Sequence, residues 1–318
     1  MKLTMLGTGH AGVTKCYNTC FILEDAGKYF LVDTGGGNTL LKQLGSVGIS
    51  LDDIHDIFIT HRHLDHLTGA LWILRRLFSQ IKSGRPQEEY RFYAHDEVIR
   101  LLLQFSEGLF PESASDCIGK GIDFIEVRDQ DTRKIIGHDV TFFDIHSTKA
   151  RQFGFRMNLD EKRDKELPEA SGELYDREYQ SCLLPSGSSA DPCCIENRKS
   201  VKTERNPDSN GSGRRLVCFG DEPCTEETAR YAESCTWMLH EAFCLYEERE
   251  RYKPYEKHHS TVKEACQTAE KLGIRNLVLY HTEDDDLPSR KKRYTKEGKQ
   301  YFGGNLYVPE DLESLELI

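Results

Sequence analysis

No stretch of this 318-residue chain is apolar for long enough to cross a bilayer, and no charged-then-apolar leader opens it. Met1-Lys2-Leu3-Thr4-Met5-Leu6 passes straight into a strand-like alternation. A cytoplasmic protein with no membrane partner is the expectation. Positive charge is also short, because 42 lysines and arginines face 53 aspartates and glutamates, a formal net charge of −11. That balance excludes a generic polyanion binder, so any nucleic-acid contact has to come from local basic clusters and bound metal. Gly35-Gly36-Gly37 lacks the lysine and spacing of a P-loop and reads as a tight backbone turn. The eleven cysteines are scattered and odd in number, and Cys182, Cys193 and Cys194 fit no zinc ribbon. Reduced thiols are expected, not a disulfide framework.

Apolar residues make up 38% of the chain, and the deficit is concentrated in residues 158–214. Charges, prolines, serines and glycines crowd there with hardly any periodic apolar pattern. Such a stretch cannot bury enough surface to offset the entropy of ordering it. It reads as a low-complexity insertion in one domain spanning 1–318.

What the chain does carry is Thr60-His61-Arg62-His63-Leu64-Asp65-His66, directly after the apolar run Ile57-Phe58-Ile59. His61 and His63, two apart in extended backbone, point the same way and can hold one ion. Asp65 and His66 follow where the chain turns into a helix over 64–82 and can face a second. Imidazole with carboxylate suits zinc, manganese or iron better than calcium. The spacing also predicts strands over 2–6, 18–23, 29–32, 91–94, 122–127, 140–145, 215–219, 237–239 and 276–280. Helices are expected over 38–45, 96–105, 225–233 and 261–272. His10 is the one further histidine whose loop could reach the site.

The H-x-H-x-D-H string resembles the signature of the metallo-β-lactamase superfamily. Asp33, His146, Asp221 and His281, each at the end of an apolar run, match the further positions of that pattern. The resemblance covers residues 1 to about 285. It implies an α/β fold, the αββα four-layer sandwich with two face-to-face sheets and helices outside. It also implies two divalent transition-metal ions, Zn2+ before Mn2+ or Fe2+. His61, His63 and His146 would hold the first ion, and Asp65, His66 and His281 the second. Asp221 would bridge, with Asp33 and His240 supporting the ligands from behind.

His240-Glu241-Ala242 and His259-Ser260-Thr261 look like the paired signatures of the ribonuclease Z branch, which matures the 3′ end of transfer RNA. That likeness implies a hydroxide held between the ions that attacks phosphorus, with Asp65 accepting a proton. His259 would act as general acid, oriented by Glu241. The implied partner is a phosphodiester, with RNA as the candidate, and a homodimer is admitted. Glu283-Asp284-Asp285-Asp286 departs from the branch after the last histidine, and 158–214 lacks the Gly-Pro-rich core of its RNA-gripping arm. The alternative is therefore a small-molecule hydrolase acting on a cyclic nucleotide, a lactone or a thioester.

Overall fold

Alternating apolar residues build two seven-stranded sheets in a computed structural model that describes residues 1–83, 89–160 and 213–318. The first sheet holds β1 (Lys2–Gly7), β2 (Cys20–Asp25), β3 (Lys28–Val32), β4 (Asp56–Phe58), β5 (Tyr90–Ala94) and β6 (Ile122–Glu126). The second holds β7 (Thr132–Ile135), β8 (His138–Asp144), β9 (Phe153–Asn158), β10 (Arg215–Cys218), β11 (Trp237–Glu241), β12 (Asn276–Tyr280) and β13 (Asn305–Tyr307). A last strand, β14 (Ser314–Glu316), returns to the first sheet and pairs antiparallel with β1. The helices are α1 (Thr39–Ser46), α2 (Leu64–Lys82), α3 (Asp96–Leu109), α4 (Glu112–Ser115), α5 (Arg249–Tyr252), α6 (Val262–Lys271) and α7 (Leu287–Gly298).

Three apolar layers separate four layers of structure, the αββα order expected. Phe21, Phe30 and Phe58 of the first sheet meet Phe142, Phe155, Trp237 and Tyr280 of the second. Their neighbours in sequence point the other way, as the two-residue period of a strand demands. Ile22, Leu31 and Ile57 pack under Leu44, Leu67, Leu74 and Leu102 of α1, α2 and α3. On the far side Val217, Met238 and Leu277 pack under Val262, Ala265 and Tyr294 of α6 and α7. Among the described residues no helix is long and apolar enough to cross a membrane. All eight described cysteines are free thiols.

The topology sets where chemistry can occur. Strands β3 to β6 run parallel, and so do β10 to β13. In each set the carboxyl ends therefore open on one edge, where sheets of this kind place ligands. Helix α2 is drawn onto that edge by its backbone. The Thr34 N–H donates to the His66 carbonyl at 2.9 Å, and the Gly69 N–H donates to Gly35 at 3.0 Å. A Cβ at Gly69 would strike the Thr34 carbonyl, so this close approach needs glycine. Helix α6 starts at Thr261, whose backbone N–H and hydroxyl donate to Glu264 at 2.8 and 2.7 Å, a capping box.

Two expectations change. Residues 225–233 form no full helix, only a 3-10 turn at Ala229–Ala232. Thr225 and Thr228 capture each other's backbone N–H groups through their hydroxyls, at 3.0 and 3.3 Å, which competes with helical bonding. The helix expected over 96–105 runs on to Leu109, as α3.

The expected insertion at 158–214 falls largely outside the described residues, but both of its ends are placed. Asn158 of β9 pairs directly with Arg215 of β10, the Leu159 N–H donates to the Arg214 carbonyl at 2.8 Å, and the Arg214 side chain reaches Asp160 at 2.9 Å. The ladder is closed without 161–212. Replacing those residues by a short Gly-Ser linker is expected to leave the thermal unfolding midpoint unchanged or slightly raised. Loop closure favours the shorter connection by about 2 kcal/mol at most. A large drop in the midpoint would place the segment in the core.

Candidate metal centre

Each ligand-type residue sits just past a strand end. Asp33 follows β3, His61 to His66 follow β4, Asp221 follows β10 and His281 follows β12. Asp33 and His281 adopt left-handed backbone, φ 55° and 57°, and Gly220 before Asp221 does too, φ 67°. For non-glycine residues this conformation costs of order 1 kcal/mol, and it clusters at functional sites.

The side chains converge on one atom. His61 Nε2, His66 Nε2 and His281 Nε2 stand 3.7, 3.6 and 3.6 Å from Asp221 Oδ2. Asp65 Oδ2 lies 3.2 Å from His66 Nε2, and His63 Nδ1 lies 2.8 Å from His61 Nε2. All but His63 are buried. His61, His66 and Asp221 form one group with ligand atoms within 4.8 Å of each other; Asp65, His66 and His281 form a second, and Asp221, His259 and His281 a third.

The other imidazole nitrogen of each buried histidine is anchored. His66 Nδ1 meets Asp33 Oδ2 at 2.7 Å, His61 Nδ1 meets Thr60 Oγ1 at 2.9 Å and His281 Nδ1 meets Thr19 Oγ1 at 3.3 Å. Thr60 in turn donates its N–H and hydroxyl to Asp33. Thr19 donates its hydroxyl to the Gly9 carbonyl. Fixing Nδ1 this way leaves Nε2 free to ligate, the usual device behind metal-binding imidazoles. Gln152 Nε2 donates to Asp221 Oδ1 at 2.5 Å, which holds the carboxylate with Oδ2 turned to the imidazoles.

The electrostatics match a site that expects cations. Burial pushes the pKa of His61 and His281 well below the usual imidazole range, so both are in the neutral, ligating form. Burial also opposes charge on His66, but the Asp65 and Asp33 carboxylates outweigh it and hold its pKa well above normal. Burial opposes charge on Asp221, but the imidazoles around it, with His66 the charged one, outweigh that and hold its pKa well below the usual carboxylate range. His66 Nε2 is buried and makes no aligned hydrogen bond, its one close neighbour being Asp65 Oδ2 at 3.2 Å, and the approaches to Asp221 of 3.6–3.7 Å exceed hydrogen-bond length. A donor set of imidazoles and carboxylates with an orphaned nitrogen inside it fits divalent metal.

Beside the cluster, His259 stacks on Phe243 at 4.8 Å between ring centroids and lies 5.1 Å from the His281 ring. Its Nδ1 is 3.7 Å from Glu241 Oε2, and both atoms are buried without another partner. Glu241 Oε1 accepts the Ser260 N–H at 2.6 Å. Burial lowers the His259 pKa to about 4 and raises that of Glu241. His10 sits at the rim, its Nε2 3.2 Å from Glu283 Oε1.

Two expected site residues are placed elsewhere. His146, taken for a ligand of the first ion, is exposed, with Nε2 turned to Glu227 at 3.4 Å. Its own left-handed backbone, φ 58°, and the bond from its N–H to Asp144 Oδ1 direct it outward. His240 touches no ligand; it accepts the Cys224 N–H at 3.1 Å and braces the turn after Asp221. Thr19, Thr60 and Gln152 were not anticipated, since hydroxyls and amides behind a ligand have no spacing of their own.

The Anti-Pycsar protein Apyc1 family matches residues 1–162, half of the chain. The chain belongs to that family. Ribonuclease Z of Archaeoglobus fulgidus is 26% identical over 331 residues, covering 99% of this chain and 97% of that protein. The metallo-beta-lactamase fold protein YhfI from Bacillus subtilis superposes with a TM-score of 0.67 at 14% identity, covering 99% and 98% of the two chains. Human tRNase Z, short form, superposes at 0.61 and 18% identity over the whole of both. The protein thus has the metallo-β-lactamase fold and is a divergent, ribonuclease Z-like metal-dependent hydrolase, with His and Asp groups that could hold divalent metal.

Gln152→Ala is expected to weaken metal binding by about 10–100-fold. A titration in metal-buffered solution reads this as the free-metal concentration at half occupancy, with the metal-free unfolding midpoint as control. Unchanged affinity would mean that Asp221 needs no such support.

Proposed function

We propose that the centre hydrolyses a phosphodiester and that His259 hands a proton to the leaving oxygen. The observation that carries this is the His259–Glu241 pair, buried beside the ligand cluster and otherwise unpartnered at Nδ1 and Oε2. Glu241, fixed by the Ser260 N–H, sets the ring's orientation. An alkoxide leaves slowly without a proton, and His259, whose pKa burial lowers to about 4, takes one up as the negative phosphoryl charge arrives beside it and passes it on. Zinc is our assignment for the ions, on the imidazole–carboxylate donor set, ahead of manganese and iron. Two such ions supply a water of lowered pKa and neutralise phosphoryl charge. Asp65, in the first turn of α2 and 3.2 Å from His66 Nε2, accepts the proton of the attacking water. We read 1–318 as one cytoplasmic catalytic domain with an insertion at about 158–214.

RNA is the first substrate reading, because the curated relatives named Ribonuclease Z align over nearly the whole chain. A small phosphodiester such as a cyclic nucleotide is the second. Glu283, Asp284, Asp285 and Asp286 follow His281 after only Thr282, and a polyanion would have to approach that acidic run. Precursor transfer RNA and cyclic nucleotides offered in parallel to the metal-loaded protein separate the two.

His259→Ala is expected to lower turnover of an unactivated phosphodiester by ~10²–10⁴-fold and of a nitrophenyl ester by roughly a few-fold, at unchanged metal content. Glu241→Gln follows more weakly. Equal losses on both substrates would assign His259 a structural role.

A further inference from the structure

Lys149 lies in the loop between β8 and β9, only partly exposed, and its ammonium forms no ion pair or hydrogen bond among the described residues. Its neighbours Ser147 and Thr148 bond to Glu222, next to Asp221, and to His258, next to His259, so Lys149 stands beside both the ligand cluster and the His259–Glu241 pair.

The loop that carries it is built rather than loose. Ser147 Oγ donates to Glu222 Oε1 at 2.5 Å and accepts the backbone N–H groups of Lys149 and Ala150 at 3.2 and 3.4 Å. Thr148 Oγ1 meets His258 Nδ1 at 3.0 Å and ties the loop to the segment that ends in His259. Glu222 follows Asp221, so the lysine backbone is braced from the metal-bearing edge and from the acid-bearing segment at once.

A cation held beside a centre that binds further cations is unfavourable unless an anion completes it. Glu222 and Glu241 temper the Lys149 charge without pairing with it, so the ammonium stays open to an anionic group of the substrate. A phosphodiester brings non-esterified oxygens of negative charge, whereas a lactone or thioester brings none.

We propose that Lys149 is a specificity residue that binds a phosphoryl oxygen of the substrate and so selects anionic phosphodiesters over neutral esters. This rests on the phosphodiesterase reading above. The lysine adds ground-state and transition-state binding alike, so its loss shows in KM more than in kcat.

The test uses metal-loaded full chain with bis(p-nitrophenyl) phosphate as substrate and inorganic phosphate as inhibitor. Lys149→Met is expected to raise KM and the phosphate inhibition constant together by about ten- to a hundredfold, the effect of losing one charge-assisted hydrogen bond. kcat, metal content and unfolding midpoint stay close to those of the unaltered protein, and Lys149→Arg recovers most of the loss. Added salt weakens substrate binding by the unaltered protein and leaves Lys149→Met nearly indifferent. An unchanged KM, or a raised KM accompanied by metal loss, overturns the role of Lys149 alone. If the loaded, unaltered protein cleaves no phosphodiester, the phosphodiesterase reading fails. Calorimetric phosphate binding then judges the lysine separately, and equal affinity in Lys149→Met would overturn it.

Discussion

Three imidazole nitrogens face one carboxylate oxygen at distances too long to hydrogen-bond and in a place without water's screening. Burying Asp33, Asp65, Asp221 and four histidines together is expensive unless each charge has a partner. Much of the surrounding structure serves that need. Asp33 supports His66, Thr60 and Thr19 fix the outer nitrogens of His61 and His281, and Gln152 restrains Asp221. What remains unsatisfied points inward, which is the condition under which a divalent ion is bound and held in one geometry.

The sheets make this convergence possible. Two sets of parallel strands end on a common edge, and the chain leaves several of them through left-handed backbone that turns the next residue toward the centre. Helix α2 adds Asp65 and His66 from its first turn, pinned where Gly69 lets it approach Thr34. The same edge carries β11, whose last residue, Glu241, reaches back to His259 ahead of α6. The ligand-type cluster and the His259–Glu241 pair are therefore products of one topological arrangement.

Much of this was legible in the sequence because the relevant signals are periodic. The α2 span of 64–82 and the β12 span of 276–280 follow directly from apolar spacing, and the motif residues have ligand chemistry at strand ends. Other features had no such signal. Thr225–Thr228 bonding truncated a helix that the pattern suggested, and the 132–135 and 153–158 strands were not among those the spacing predicted. His146 shows a different limit. Its residue type and position suited a ligand, but a local N–H bond to Asp144 and a left-handed φ carried it outward, and neither is visible in residue spacing. Thr19, Thr60 and Gln152 act from loops or strand ends through contacts that only the folded arrangement brings together.

The central claim is that Asp221 stands between two ions. Anomalous diffraction at the zinc edge from zinc-loaded crystals tests it most directly. Two peaks per chain are expected, roughly 3.5–4 Å apart, one against His61 and His63, the other against Asp65, His66 and His281, with Asp221 touching both. A single fully occupied peak, or two peaks that Asp221 does not bridge, would contradict the account.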